Sequence, residues 1–81
     1  MTNRESGVIN DLVVSAQFPN STPVLFKENM NDGSIEYTLI IRTKGTNMTT
    51  HRSDVRLDPK DFGTLTVEKI RQALLDNMRT L

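Results

Sequence analysis

Two β-patterned runs, residues 24–29 and 34–43, flank Met30-Asn31-Asp32-Gly33, and that juxtaposition admits little besides an antiparallel hairpin. Asn, Asp and Gly tolerate the left-handed backbone that tight turns demand. In the second run Ile35, Tyr37, Leu39 and Ile41 alternate with Glu36, Thr38, Ile40 and Arg42, so one face is apolar and the other mostly polar. Ile40 interrupts the polar face. Either a second layer or a partner surface covers it, or it is one of the isolated exposed apolar residues that folded proteins commonly carry. A register in which paired positions sum to 63 sets Phe26 opposite Tyr37, Val24 opposite Leu39 and Lys27 opposite Glu36. Slipping by one sets Glu28 against Glu36 and Phe26 against Thr38. Favourable cross-strand pairs contribute about 0.2–1 kcal/mol each and like charges oppose pairing, so the first register is expected; a shift of two would keep the same faces.

Around this hairpin the remaining elements follow. Lys44-Gly45 makes the next turn, and residues 46–57 read as a third strand with Met48, Val55 and Leu57 as its apolar members. Residues 8–18 are ambiguous between strand, helix and an arm exchanged between subunits. The β-branched run 12–18 favours a strand, ending at the turn cluster Pro19-Asn20-Ser21-Thr22-Pro23. Residues 1–7 are polar and expected to be disordered. Asp58-Pro59 starts a short helical turn that Phe62-Gly63 breaks. From Thr66, the expected N-cap by residue type, Val67, Ile70, Leu74, Met78 and Leu81 recur at helical spacing, and Glu68 complements the positive end of the helix dipole. The expected fold is a single small α+β domain over 1–81. It is a meander of three or four short antiparallel strands with the central hairpin at 24–43, packed on one face by a C-terminal helix at about 66–80.

The 81 residues include no cysteine and one histidine. Chains this short usually add disulfides, a metal or a partner subunit to a small core, and here only the partner remains available. Association, as a homodimer, is therefore expected. The longest apolar runs are Leu12-Val13-Val14 and Leu39-Ile40-Ile41, far short of the roughly 20 residues that cross a bilayer. Residues 1–7 form no secretory signal, which leaves a cytoplasmic protein without membrane contact as the expectation.

Catalytic chemistry finds little material. His51 with Asp54, Asp58 and Asp61 is the one grouping that resembles a catalytic or metal site, with Ser53 or Thr50 as a nucleophile on paper. Asp58 and Asp61 are better explained as acids at a helix N-terminus, and a lone histidine is a poor start for a zinc site. The four glycines are isolated, so no phosphate-binding or dinucleotide loop can be built. No catalytic residue, cofactor or metal is expected.

Ten basic and ten acidic residues give a net charge of zero, yet the distribution is uneven. Residues 1–41 carry −3, residues 42–60 carry +3, and residues 61–81 balance. Arg42, Lys44, Arg52 and Arg56, with His51 among them and Ile40 at their edge, form the candidate binding segment. Phosphate contact along a nucleic-acid backbone is one use for it, but the chain is not basic overall and the segment has no aromatic residue to stack bases. The acidic first half and basic middle also suit self-association. The leading expectation is a non-catalytic protein–protein interaction or regulatory module of the adaptor or inhibitor type, such as the short accessory proteins of bacteria and phages, acting as a homodimer. The alternative is a weak nucleic-acid binder using residues 42–56.

Overall fold

In the computed structural model, which describes residues 3–81, the chain runs β1 (Asn3–Val8), α1 (Leu12–Gln17), β2 (Ser21–Asn29), β3 (Ile35–Thr43), β4 (Thr49–Leu57), a 3₁₀ segment (Pro59–Thr64), α2 (Val67–Asp76) and β5 (Arg79–Thr80). The strands form one antiparallel sheet in the order β1-β2-β3-β4-β5, and both helices lie on the same side of it. The α+β meander with a packed C-terminal helix is thus as expected, enlarged to five strands.

The hairpin register is the main correction. Paired positions sum to 64, so Leu25 faces Leu39, Phe26 faces Thr38 and Glu28 faces Glu36. The turn decides this. Asp32 accepts hydrogen bonds from the backbone N–H (2.9 Å) and the hydroxyl of Ser34, Gly33 takes φ +88°, and Met30 N–H donates to Ser34 C=O at 2.9 Å. Three residues, Asn31-Asp32-Gly33, therefore close the loop, and an odd-numbered loop is incompatible with a sum of 63. The slip turns Val24 and Phe26 to the other face of the sheet. The like-charged pair Glu28–Glu36 is tolerated because Arg4 of β1 and Arg56 of β4 flank it in the same cross-strand row.

Residues 3–7, expected to be disordered, pair with β2 as β1, and residues 1–2 lie outside the described residues. Residues 12–17, expected as a strand, are helical. Asp11 explains the switch: its Oδ1 accepts from the N–H groups of Val13 (2.9 Å) and Val14 (3.2 Å), capping the first turn. Its Oδ2 accepts from Arg71 Nε at 2.7 Å, which joins α1 to α2. In α2, Thr66 Oγ1 caps the N–H of Lys69 as expected, but the helix ends at Asp76 rather than near residue 80. Arg79–Thr80 instead pair with β4, and Leu81 N–H donates to Thr50 C=O at 3.0 Å. The edge of β4 offers these last residues hydrogen-bond partners that a fraying helix end would lack.

The core lies between the helices and the sheet, centred on Val14, Leu39, Ile41 and Leu74, with Phe18, Leu25, Tyr37, Val55 and Ile70 packed around it. Buried Ser53 donates its hydroxyl to Leu74 C=O and so ties the end of α2 to β4. No helix among the described residues is long and apolar enough to cross a membrane.

Candidate interaction face

Antiparallel pairing places directly opposed residues on the same side of the sheet. Leu25, Leu39 and Ser53 therefore share the helix-covered face, while their neighbours in sequence share the other, over which no described helix lies. On this open face, cross-strand rows can be read straight from the register. One row runs Val8, Val24, Ile40, Arg52, Arg79; the next runs Ser6, Phe26, Thr38, Asp54; a third runs Arg4, Glu28, Glu36, Arg56. Arg42 lies beyond the first row, opposite Thr22 and Thr49, where β3 and β4 shift register.

Five of the chain's six arginines stand on this face, and none of its four lysines does. Lys27 points to the helix side with Glu5 and Tyr37, Lys44 is in the β3–β4 turn, Lys60 is in the 3₁₀ segment and Lys69 is on α2. Against the five arginines stand Glu28, Glu36 and Asp54, leaving the strand positions of the face at +2. The apolar members have unequal exposure: Val24 is buried, Phe26 and Ile40 are half-buried, and Val8 is 69% exposed.

Asp54 is the hub of the polar part. Its Oδ1 accepts from Thr38 Oγ1 at 2.8 Å, and its Oδ2 meets Arg52 Nε at 3.2 Å and an Arg79 terminal nitrogen at 3.0 Å. Burial pushes its carboxyl up, but hydrogen bonds from Arg52, Thr38 and Arg79 outweigh that and hold it below the usual carboxylate range. Arg52 is raised in turn, chiefly by its hydrogen bond to Asp54. Arg4 lies over the ring of Phe26, 4.5 Å from its centroid, and Arg56 pairs with Asp32 of the β2–β3 turn. The Nε of Arg42 is buried without a hydrogen-bond partner. The side chains of Arg52, Arg56 and Arg79 remain about half exposed, and ion pairs of that kind contribute about 0–1 kcal/mol, so fold stability does not account for this concentration of arginine.

Of the residues singled out in the sequence, Ile40, Arg42, Arg52 and Arg56 come together here. Two do not join them. Lys44 is exposed in its turn, and His51 lies on the helix-covered face, its ring 5.0 Å from that of Phe18 and its Nδ1 2.9 Å from Thr50 Oγ1. Arg4, Phe26 and Arg79 complete the face but belong to segments read as disordered, inward-facing or helical. The alternation Arg4, Ser6, Val8 was the available signal for β1, masked by its polarity.

The segregation of charge along the chain does not survive folding as separate patches. Strand pairing interleaves acidic β2–β3 with basic β4, and Asp32–Arg56 spans both segments within the one chain. The grouping of His51 with Ser53 and Asp54 is also dispersed: the Ser53 hydroxyl is committed to Leu74, and Asp54 faces away from His51. Among the described residues no three His, Asp or Glu side chains converge as metal ligands.

The class defined by this geometry is an α+β sheet domain with one helix-covered face and one open, arginine-rich face. Comparison with known protein families, with characterised proteins and with solved structures finds no match for this chain.

Proposed function

We propose that this chain is a non-catalytic, cytoplasmic protein–protein interaction or regulatory module, homodimeric, that engages its partner through the open sheet face. The supporting observation is the composition of that face. Arginine and aromatic residues are enriched and lysine depleted at the cores of protein interfaces, because a guanidinium sheds water readily and binds carboxylates and carbonyls in fixed geometry. Here five arginines and no lysine surround Phe26, Ile40 and Val8. Affinity purification from the native host, with wild-type bait beside Ile40→Glu and Arg52→Ala, tests the reading. A protein retained by the wild type and lost with both variants supports it; identical sets of retained proteins from all three overturn it.

The same face carries the second reading, contact with a nucleic-acid strand, on the strength of its +2 charge and the single ring of Phe26 beneath Arg4. Three interleaved carboxylates oppose it. Titrating labelled DNA and RNA at two salt concentrations decides: absence of binding at low salt removes this reading, and salt-dependent binding weakened by Arg42→Ala or Arg52→Ala adopts it.

A further inference from the structure

The positive excess of the open face is gathered at one corner. The row Arg4, Glu28, Glu36, Arg56 is neutral, so the whole +2 falls on Arg42, Arg52 and Arg79 with Asp54 among them. These three arginines stand on adjacent strands. Arg52 and Arg79 are directly opposed, and Arg42 is diagonal to Arg52, two positions beyond Ile40, its cross-strand partner. Diagonal neighbours lie about 7–8 Å apart. Asp54 answers both Arg52 and Arg79 with the same oxygen, Oδ2, and their side chains are still 46% and 57% exposed. Arg42 lies between the hydroxyl residues Thr22 and Thr49, and no acceptor among the described residues meets its buried Nε. The corner thus holds more guanidinium donors than its one carboxylate can satisfy. Apolar side chains continue the same line: Val8, Val24 and Ile40 occupy the first three strands of the row that ends in Arg52 and Arg79. At about 4.8 Å per strand, that row presents about 10 Å of apolar surface and then about 10 Å of positive charge.

We infer that the occupant of the open face is an acidic amphipathic helix of a partner protein. It lies across the strands with apolar side chains on Val8, Val24 and Ile40 and carboxylates over Arg42, Arg52 and Arg79. The inference rests on the protein–protein reading of this face and adds the partner's chemistry to it. Charge complementarity sets the sign, since the surplus of guanidinium groups calls for carboxylates and the apolar run beside it for aliphatic side chains. The small extent of the corner sets the length. A nucleic-acid strand crossing the whole face would carry its phosphates over Glu28 and Glu36, whereas two turns of helix, about 11 Å, confine their carboxylates to the corner. Backbone hydrogen bonding sets the conformation. A segment lying on a sheet face, away from its edges, finds no strand to pair with, so its backbone must be satisfied internally, as in a helix.

The probe is a fluorescein-labelled helical peptide with leucines on one face of its first two turns and glutamates on the same face of the next two. Anisotropy at low salt should show saturable binding, weakened at least about tenfold when the glutamates are replaced by glutamine. Arg42→Gln and Arg79→Gln should each weaken it about fivefold, and Lys60→Gln, an equal loss of charge in the 3₁₀ segment, should leave it unchanged. Val8→Ser should also weaken it about fivefold, and because Val8 is 69% exposed the fold is not at risk. In NMR spectra the Nε–H signal of Arg42 should move with the glutamate peptide and stay in place with the glutamine one. Four results overturn the inference: no binding, equal binding of the two peptides, equal losses with Lys60→Gln and Arg79→Gln, or tighter binding of a thymidine oligonucleotide than of the glutamate peptide. A dimer that Arg79→Gln dissociates overturns it too, since the face then belongs to a second copy. If the peptide fails while the wild-type bait still retains a host protein that Ile40→Glu and Arg52→Ala lose, the assigned chemistry falls and the interaction reading stands.

Discussion

Asp11 serves two elements of this fold at once. One carboxylate oxygen caps α1 and the other holds Arg71 of α2, so a single residue fixes both helices over the core. Burial opposes its ionisation, but the hydrogen bonds from Arg71, Val14 and Val13 prevail and hold it below the ordinary value of 3.8. Asp11→Ala is expected to cost about 2–3 kcal/mol, of which about 1 is the cap and the rest the loss of a partner for half-buried Arg71. Asp11→Asn keeps a capping oxygen and should cost about half as much. Urea midpoints at constant m-value measure both. Asp54 is depressed for the same kind of reason, so the two make the same pH prediction. Their folded-state values lie below 3.8, so their stabilisation is fully present above that value and is lost as pH falls through the lower, folded values. The thermal midpoint should be level from neutral pH down to about 5 and fall steeply below about 4. In Asp11→Asn that acid-side fall should be shallower; an equal fall would contradict the assignment.

Elements with strong, regular patterns were legible in advance, and those decided by one capping or turn residue were not. Alternation along 35–42 identified β3 and its buried face, and apolar spacing identified α2, because each rests on many residues at once. The hairpin register instead rested on comparing pair energies of a few tenths of a kcal/mol, and the three-residue loop overrode them. Likewise the strand propensity of Leu12-Val13-Val14 yielded to a cap at Asp11 and the burial of Val14. In the observed register, Glu28→Gln should change stability by less than about 0.5 kcal/mol, since Arg4 and Arg56 already offset the pair in its row. Ser53→Ala should cost about 1–2 kcal/mol by leaving Leu74 C=O without its buried donor, and chemical denaturation reads both. The candidate face was half legible for a related reason. Ile40, Arg42, Arg52 and Arg56 lie on strands the pattern revealed, whereas Arg4 and Arg79 lie on edge strands that exist only because β2 and β4 offer them hydrogen bonds.

At the scale of the whole molecule, the sheet separates a face covered by the two helices from an open face crowded with guanidinium groups. Strand order carries a further consequence. Each strand is bonded only to its neighbours in sequence, so the sheet can grow outward from the β2–β3 hairpin with no segment threading past another. Such local connectivity shortens the conformational search, since closing small loops costs little chain entropy. Stopped-flow refolding should therefore show a fast main phase whose rate is independent of protein concentration. Sheet and helices would then be complete before either face met another molecule.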